Sequence, residues 1–462
     1  MGAYERFLER KRTLDPATGI EGTLELPEFM MPHQRDMTSW SLRRGRSAIF
    51  AGTGLGKTLI ELVWSHRVSE YTGKPVLLLA PLAVSHQHGT EAEKWGIGAQ
   101  VVDARSSGAI DISNYQKLDR FDLSAFGGVA LDESSILKNV DGHYRTRLIQ
   151  ECAKLPFRLA ATATPAPNDF MELGNHAEFL GVMSYTDMLA TFFVHDGGDT
   201  KAWRLKGHAE DDFWRWMASW AVMLRKPSDL GYSDEGYNLP ELRYHHHTVA
   251  ADFKPSFETG TLFPMEARTL SERLAARRDS VGVRVAKAAA LTPTDRPFVW
   301  WCNLNSEAEQ LLRLLPGAVN LAGSDTDSVK ERKLKDFSLG RIRVLITKPS
   351  IAGFGMNWQH CADTGFVGLT DSFEQIYQAI RRFWRFGQLM PVNVHFVADE
   401  REGAVVANYR RKEADAERMA AAMVRHMADL SSSQIRGLVR DKPTYAPTQR
   451  MTIPTWLKEM AA

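Results

Sequence analysis

Two unbroken apolar stretches frame this chain. Val76-Leu-Leu-Leu-Ala80 is stopped by Pro81, and Gly128-Val-Ala-Leu131 runs directly into Asp132-Glu133. Apolar runs without polar alternation are the mark of strands buried on both faces, as in a parallel sheet covered by helices. Ser47–Phe50 reads as the end of a third such strand, Asp111–Tyr115 as a strand edge, and Phe157–Thr162 as another strand. Helical stretches fall between them, at Leu59–Trp64 and Glu91–Trp95. Strands alternating with helices from 47 to 168 predict an α/β class with a parallel sheet.

A second pattern of the same kind begins near residue 297. Pro297–Cys302 reads as a strand, Ser306–Leu314 as a helix and Val319–Ala322 as a short strand. Val329–Phe337 then reads as a helix and Ile342–Thr347 as a strand. Between the two patterns, residues 170–225 are rich in aromatics and residues 252–292 carry scattered charge, read as a helical hairpin. The expected division is an N-terminal extension (1–28), a first lobe (29–169), a helical insertion and linker (170–240), a helical insertion of the second lobe (241–292), the second lobe (293–400) and a C-terminal region (401–462). That last region is helical through Glu402–Asp429, then proline-containing and basic.

Composition narrows this picture. A chain of 462 residues is too long for one core. The 57 Lys and Arg against 56 Asp and Glu leave a net charge of +1, so a nucleic-acid partner would have to meet a local basic groove. Cys152, Cys302 and Cys361 have no paired ligand spacing, which argues against zinc or a disulfide framework. The N-terminus lacks the apolar core of a signal peptide, and no run approaches the ~18 apolar residues of a membrane span. A soluble, cytoplasmic protein without a membrane partner is expected.

The chemistry centres on Ala51-Gly52-Thr53-Gly54-Leu55-Gly56-Lys57-Thr58, between a strand and a helix. A glycine-rich turn at a helix N-terminus aims backbone N–H groups at phosphates. Lys57 would reach the β/γ-phosphates and the Thr58 hydroxyl would ligate Mg²⁺, so ATP and Mg²⁺ are the expected ligands. Asp132 is a second Mg²⁺ ligand candidate, and Glu133 would polarise the attacking water. Gln34 offers the donor–acceptor pair that matches an adenine edge. Arg382 and Arg385 lie three apart, and planar, permanently charged guanidiniums suit a γ-phosphate and its transition state. Gly353 and Gly355 permit close backbone approach to a ligand.

Other features have plainer readings. The aromatics Phe179, Phe192, Phe193, Trp203 and Phe213–Trp220 could stack on bases, but aromatics at helical spacing are more often core. His245-His-His247 lacks partner ligands nearby and reads as an exposed strand.

The order and wording of these segments resemble the superfamily-two helicases, and among them the Swi/Snf-type DNA translocases. Met31-Pro-His-Gln34 resembles that family's glutamine motif. Leu78–Val84 with Glu93-Lys-Trp95, Ile112-Ser-Asn-Tyr115 and Thr162-Ala-Thr-Pro-Ala-Pro-Asn168 resemble its following motifs. Leu224-Arg-Lys-Pro with Leu239-Pro240 resembles the exit into the linker, and Lys348–Asn357 and Gln378–Gln388 resemble the second-lobe motifs. Three departures stand out: Ala51 for glycine, Asp132-Glu-Ser-Ser135 for Asp-Glu-Ala-His, and Lys348-Pro349 for Ser-Thr. The compact length and these variants look most like small helicase-like proteins of phages and prophages.

The resemblance implies two tandem RecA-like lobes closing on ATP, with Gln34, Gly355 and Gln378 joining the nucleotide site. It implies nucleic-acid contacts through Pro81, Ser113, Asn114, Thr162, Thr164, Gly323, Ser324, Thr347, Gly353 and Asn357. Duplex DNA is the partner it favours. Unwinding of RNA or branched DNA stays open, with single-stranded DNA or RNA as possible partners, as does remodelling of a DNA-bound protein through residues 170–240 or the tail. Without an imidazole at Ser135, the family's route for coupling hydrolysis to the neighbouring motif is in question.

Overall fold

The computed structural model describes residues 15–138, 142–166, 169–195, 203–250, 270–352, 357–370 and 372–435. Helix Pro32–Arg44 leads into Arg46–Ala51 (β1), then Val76–Ala80 (β2), Ala99–Val101 (β3), Ile110–Asn114 (β4), Gly128–Asp132 (β5) and Phe157–Thr162 (β6). Phe193–His195 (β7) and Trp203–Leu205 (β8) form a small antiparallel pair, and Ala221–Leu224 (β9) returns to the main sheet. Seven strands line up as β3-β4-β2-β5-β6-β1-β9, all parallel. Every residue of β2, β4, β5, β6 and β9 is buried, as expected of a sheet with a helical layer on each face.

The second sheet is built from Leu242–Val249 (β10), Phe298–Cys302 (β11), Val319–Asn320 (β12), Val344–Thr347 (β13), Asp363–Val367 (β14) and Val392–Asp399 (β15). Its order is β10-β15-β14-β11-β13-β12, again parallel throughout. Both faces of each sheet carry an apolar core. The protein is therefore α/β, with two parallel sheets flanked by helices.

Several expectations change. Asp111–Tyr115 is not a strand edge: β4 is interior because the short β3 covers its outer side. The segment 170–240 is not only helical. It holds β9, which pairs with β1 and extends the first sheet to Leu224. Likewise 241–292 opens with the strand β10, and helices Leu270–Asp279 and Val281–Leu291 follow. His245, His246 and His247 are half-buried on this edge strand, not exposed. His245 Nε2 meets Asn393 Oδ1 and His247 Nε2 meets His395 Nδ1, each at 3.0 Å.

The aromatics of 170–225 are core. In helix Glu210–Trp220, Phe213, Trp214, Trp216, Met217 and Trp220 are buried against the sheet, while Glu210, Asp211 and Asp212 occupy the first turn, where the helix dipole favours acid. This helix also receives the C-terminal helix Gly403–Ile435. Tyr409 of that helix belongs to the second-sheet core, whereas Met423, Val424 and Met427 belong to the first. Its 33 residues thus bridge both sheets, and His426 stacks on Trp214 with ring centroids 5.3 Å apart.

Trp216→Ala is expected to destabilise the chain by about 3–5 kcal/mol, the usual cost of a large buried ring left as a cavity. Denaturant unfolding of the two proteins measures this; a change below about 1 kcal/mol would contradict the packing.

Candidate active site

The carboxyl ends of β1, β5 and β6 lie side by side, and the loop after β1 passes across them. Gly54 and Gly56 take left-handed backbone angles, with φ of 90° and 82°. Neither could carry a side chain. A Cβ on Gly54 would stand 2.9 Å from Phe386 Cβ, and one on Gly56 would meet Gln34 Nε2 at 2.1 Å. Helix Lys57–Thr72 starts directly at this turn and points its free N–H groups into the loop. Lys57 folds back, its Nζ donating to the Ala51 carbonyl at 2.8 Å and the Gly52 carbonyl at 3.4 Å. Burial lowers the Lys57 pKa, against the opposing pull of Glu133 and Asp132.

Gln34 braces the loop from behind. Its Nε2 donates to the Leu55 carbonyl at 3.3 Å and its Oε1 accepts from Met31 N at 3.1 Å. The side chain is buried, with its carbonyl and one N–H already engaged within the protein. Ala51 and Leu55 are buried, while Gly52, Thr53 and Thr58 are partly open. Gly353 and Gly355 lie outside the described residues.

The acid pair sits at the end of β5. Glu133 adopts φ 52°, the left-handed conformation that a residue with a side chain rarely occupies. Its Oε2 accepts from Thr162 Oγ1 at 3.0 Å, and Thr162 Oγ1 in turn accepts from Thr164 N at 3.1 Å. Asp132 accepts from Glu133 N through Oδ1 at 3.0 Å, while Tyr115 OH donates to the Asp132 backbone carbonyl at 2.7 Å. Burial raises both carboxyls, to about 6 each; beyond burial, Glu61 is the next contributor for Asp132, and Asp132 for Glu133.

Sequence reasoning missed what stands behind Asp132. His88 Nε2 lies 3.0 Å from Glu61 Oε2 and 3.5 Å from Asp132 Oδ2, all three buried. Burial alone would lower the His88 pKa, yet its bond to Glu61 and the nearby Asp132 and Glu61 charges push it up to about 9. The imidazolium tethers Asp132. Glu61 was legible as an acid placed on an otherwise apolar helix stretch, Leu59-Ile-Glu-Leu-Val-Trp64. Thr58 and Asp132 present hard oxygen donors, which suit Mg²⁺; the imidazole of His88 does not.

The second sheet supplies the opposite wall. Helix Phe373–Ile380 is capped by Ser372, whose Oγ accepts from Gln375 N at 3.4 Å. One turn on, Gln378 Nε2 reaches Glu133 Oε1 at 3.5 Å. Arg382, also buried, donates through Nε to the Gln378 carbonyl at 3.2 Å and through Nη2 to its Oε1 at 3.4 Å. Burial and mutual repulsion depress the Arg382 pKa to about 9, and burial depresses that of Arg385 to about 10. Both remain charged at neutral pH; Glu133 and Asp132 act against the depression at Arg382, and Glu91 does so at Arg385. Arg385 Nε is buried and has no hydrogen-bond partner among the described residues. Phe386 lies over Gly54 and packs on Tyr237 of the linker, ring centroids 4.7 Å apart.

The two serines of Asp-Glu-Ser-Ser point in different directions. Ser134 Oγ bonds His176 Nε2 at 3.1 Å, an imidazole brought in from helix Leu173–Leu180. Ser135 Oγ donates to Glu374 Oε1 at 2.9 Å, across the cleft to the second sheet. Lys138 makes an ion pair with the same carboxylate.

The residues expected to touch nucleic acid divide into two sets. Gly323, Ser324 and Asn357 are exposed and Pro81 is half-buried. Ser113, Asn114, Thr162, Thr164 and Thr347 are buried. The hydroxyls of Ser113 and Thr347 donate to the Val102 and Leu321 carbonyls, at 2.8 and 3.1 Å, and Thr162 serves Glu133. Packing at the strand ends, which the sequence does not display, turns these side chains inward.

Burial pushes His176 down to about 4, so it is neutral in the folded protein. The unfolded chain binds a proton below about pH 6.5 that the folded one refuses, and stability should fall by up to about 1.4 kcal/mol per pH unit between 6.5 and 4. Wild type is therefore expected to lose more melting temperature between pH 7 and pH 5 than His176→Gln. Parallel pH curves for the two proteins would contradict this.

No family model matches the chain. It is similar to protein p41 of Acyrthosiphon pisum secondary endosymbiont phage 1, with 24% identity over 435 residues, covering 79% of this chain and 92% of that protein.

Proposed function

We propose that this protein is an ATP-driven nucleic-acid translocase whose two sheets are RecA-like lobes closing on ATP. The carrying observation is the charge arrangement of the cleft. Lys57 from one side and Arg382 from the other bear on Asp132 and Glu133, Arg385 stands close enough to act on both cations, and burial depresses the pKa of all three. Three buried cations gathered at one cleft suit a polyanion held between the lobes.

In this reading the loop 52–56 cradles the β- and γ-phosphates with its N–H groups, and Lys57 swings from its own loop carbonyls onto them. Thr58 and Asp132 would hold Mg²⁺, whose chemistry is to neutralise phosphate charge and polarise the transferred group. Glu133, aligned by Thr162 and Gln378, orients the attacking water and accepts its proton. Arg382 and Arg385 stabilise charge that builds on the γ-phosphate. Loss of that phosphate removes the anion both lobes share, so the cleft can relax and a gripped strand can move. Sequence-independent contacts through Gly323, Ser324 and Asn357 suit a tracking motor, and duplex DNA is the favoured track.

Lys57→Ala and Glu133→Gln are each expected to reduce ATP turnover at least about 100-fold with the circular dichroism spectrum unchanged. Arg385→Ala should cost about 10³-fold in kcat. Steady-state hydrolysis measured alone and with duplex DNA, single-stranded DNA and RNA tests the rest. Stimulation by duplex is the expected result; stimulation by single strands or RNA alone would replace the track. Wild-type turnover in Lys57→Ala, or no turnover by the wild type under any condition, would contradict the reading.

A further inference from the structure

We propose that Glu374, gripped by Ser135 and Lys138, is a positioning residue that registers helix Phe373–Ile380 and the arginine-bearing turn after it against the acid pair, and keeps the cleft closed without nucleotide. Its catalytic half rests on the function proposed above; its conformational half does not.

The grip comes from a fixed element. Ser134–Lys138 is a single tight turn directly after Asp132-Glu133. Ser134 is tied to His176, and the Lys138 carbonyl accepts from Asn175 Nδ2 at 3.4 Å. Asn175 Oδ1 is itself held by Arg145 Nε at 2.9 Å. These ties anchor the turn to the helices beneath the first sheet.

The gripped residue is placed to transmit. Glu374 lies in the first turn of helix Phe373–Ile380, where an anion is favoured by the helix dipole, and its side chain is 14% exposed. Glu374 and Gln378 are four residues apart on one face of helix Phe373–Ile380, and Arg382 follows in the turn that ends it. Glu374 meets the turn after the acid pair, Gln378 meets Glu133, and Arg382 is bound to Gln378. Fixing the first of these fixes the axial position of the other two. Isolated exposed ion pairs hold little, but this carboxylate is largely buried and takes a hydroxyl and an ammonium from an anchored turn. The hydroxyl of Ser135 thus links the acid-pair segment to the second sheet's helix.

The test is a charge reversal across the cleft: Glu374→Lys, Lys138→Glu and the two together, with Ser135 kept as a neutral partner for either sign. Glu374→Lys is expected to lower kcat about tenfold or more while the KM for ATP stays within about twofold, since the pair acts on the transition state and not on nucleotide binding. Small-angle scattering without nucleotide should show a larger radius of gyration for Glu374→Lys. Reversing both charges should restore the compact radius and return kcat to within about threefold of wild type. Wild-type kcat and radius in Glu374→Lys, or failure of the double reversal to restore both, would overturn the proposal. If the wild type hydrolyses no ATP, the proposed function fails and the radius alone decides whether the pair closes the cleft.

Discussion

The arrangement that the rest of the molecule serves is a set of charges held out of water between two sheets. Lys57, Arg382 and Arg385 bring positive charge to the cleft, while Asp132 and Glu133 bring negative charge at the end of β5. Desolvation is costly for each of them unless partners compensate. The carboxylates have partners: His88 and the Glu133 backbone N–H for Asp132, Thr162 and Gln378 for Glu133. Arg382 is held by Gln378, with Glu133 and Asp132 acting on its charge, and among the described residues Arg385 Nε is buried without a hydrogen-bond partner.

Holding such a cleft requires both sheets to be positioned with respect to each other. Four separate contacts do this. Phe386 lies over Gly54, Gln378 reaches Glu133, Glu374 meets Ser135 and Lys138, and Trp384 Nε1 donates to the Pro240 carbonyl of the linker at 2.6 Å. The helix Gly403–Ile435 then crosses from the second core to the first. Within the first lobe, β9 and the aromatic helix before it complete the sheet beside β1, so the loop that carries Lys57 rests on an interior strand.

Much of this was legible in the sequence because parallel strands are written as apolar runs. Val76–Ala80 and Gly128–Leu131 became β2 and β5 with the acid pair at the strand end, and the glycines at 54 and 56 took left-handed angles in the turn between β1 and the helix after it. Short edge elements were not legible. Ala99–Val101 and Ala221–Leu224 are too short for periodicity to separate them from their helical surroundings, and β10 begins with a mixed polar pattern because it is an edge strand. The partners of the site were the hardest to read. Glu61, His88, His176 and Glu374 lie 27 to 239 residues from the groups they touch, and no local spacing announces such pairs. Ser113 and Thr347 show the converse: the family resemblance implied nucleic-acid contacts there, and tertiary packing buried both hydroxyls.

The most direct measurement of the central claim is a crystal structure grown with ADP, Mg²⁺ and fluoroaluminate, a mimic of the phosphoryl group in transit. The expected result is the mimic between the sheets, with Lys57 and at least one of Arg382 and Arg385 within hydrogen-bonding distance of it and Glu133 on its far side. Nucleotide bound away from the loop 52–56, or bound there with both arginines turned away from it, would contradict the account.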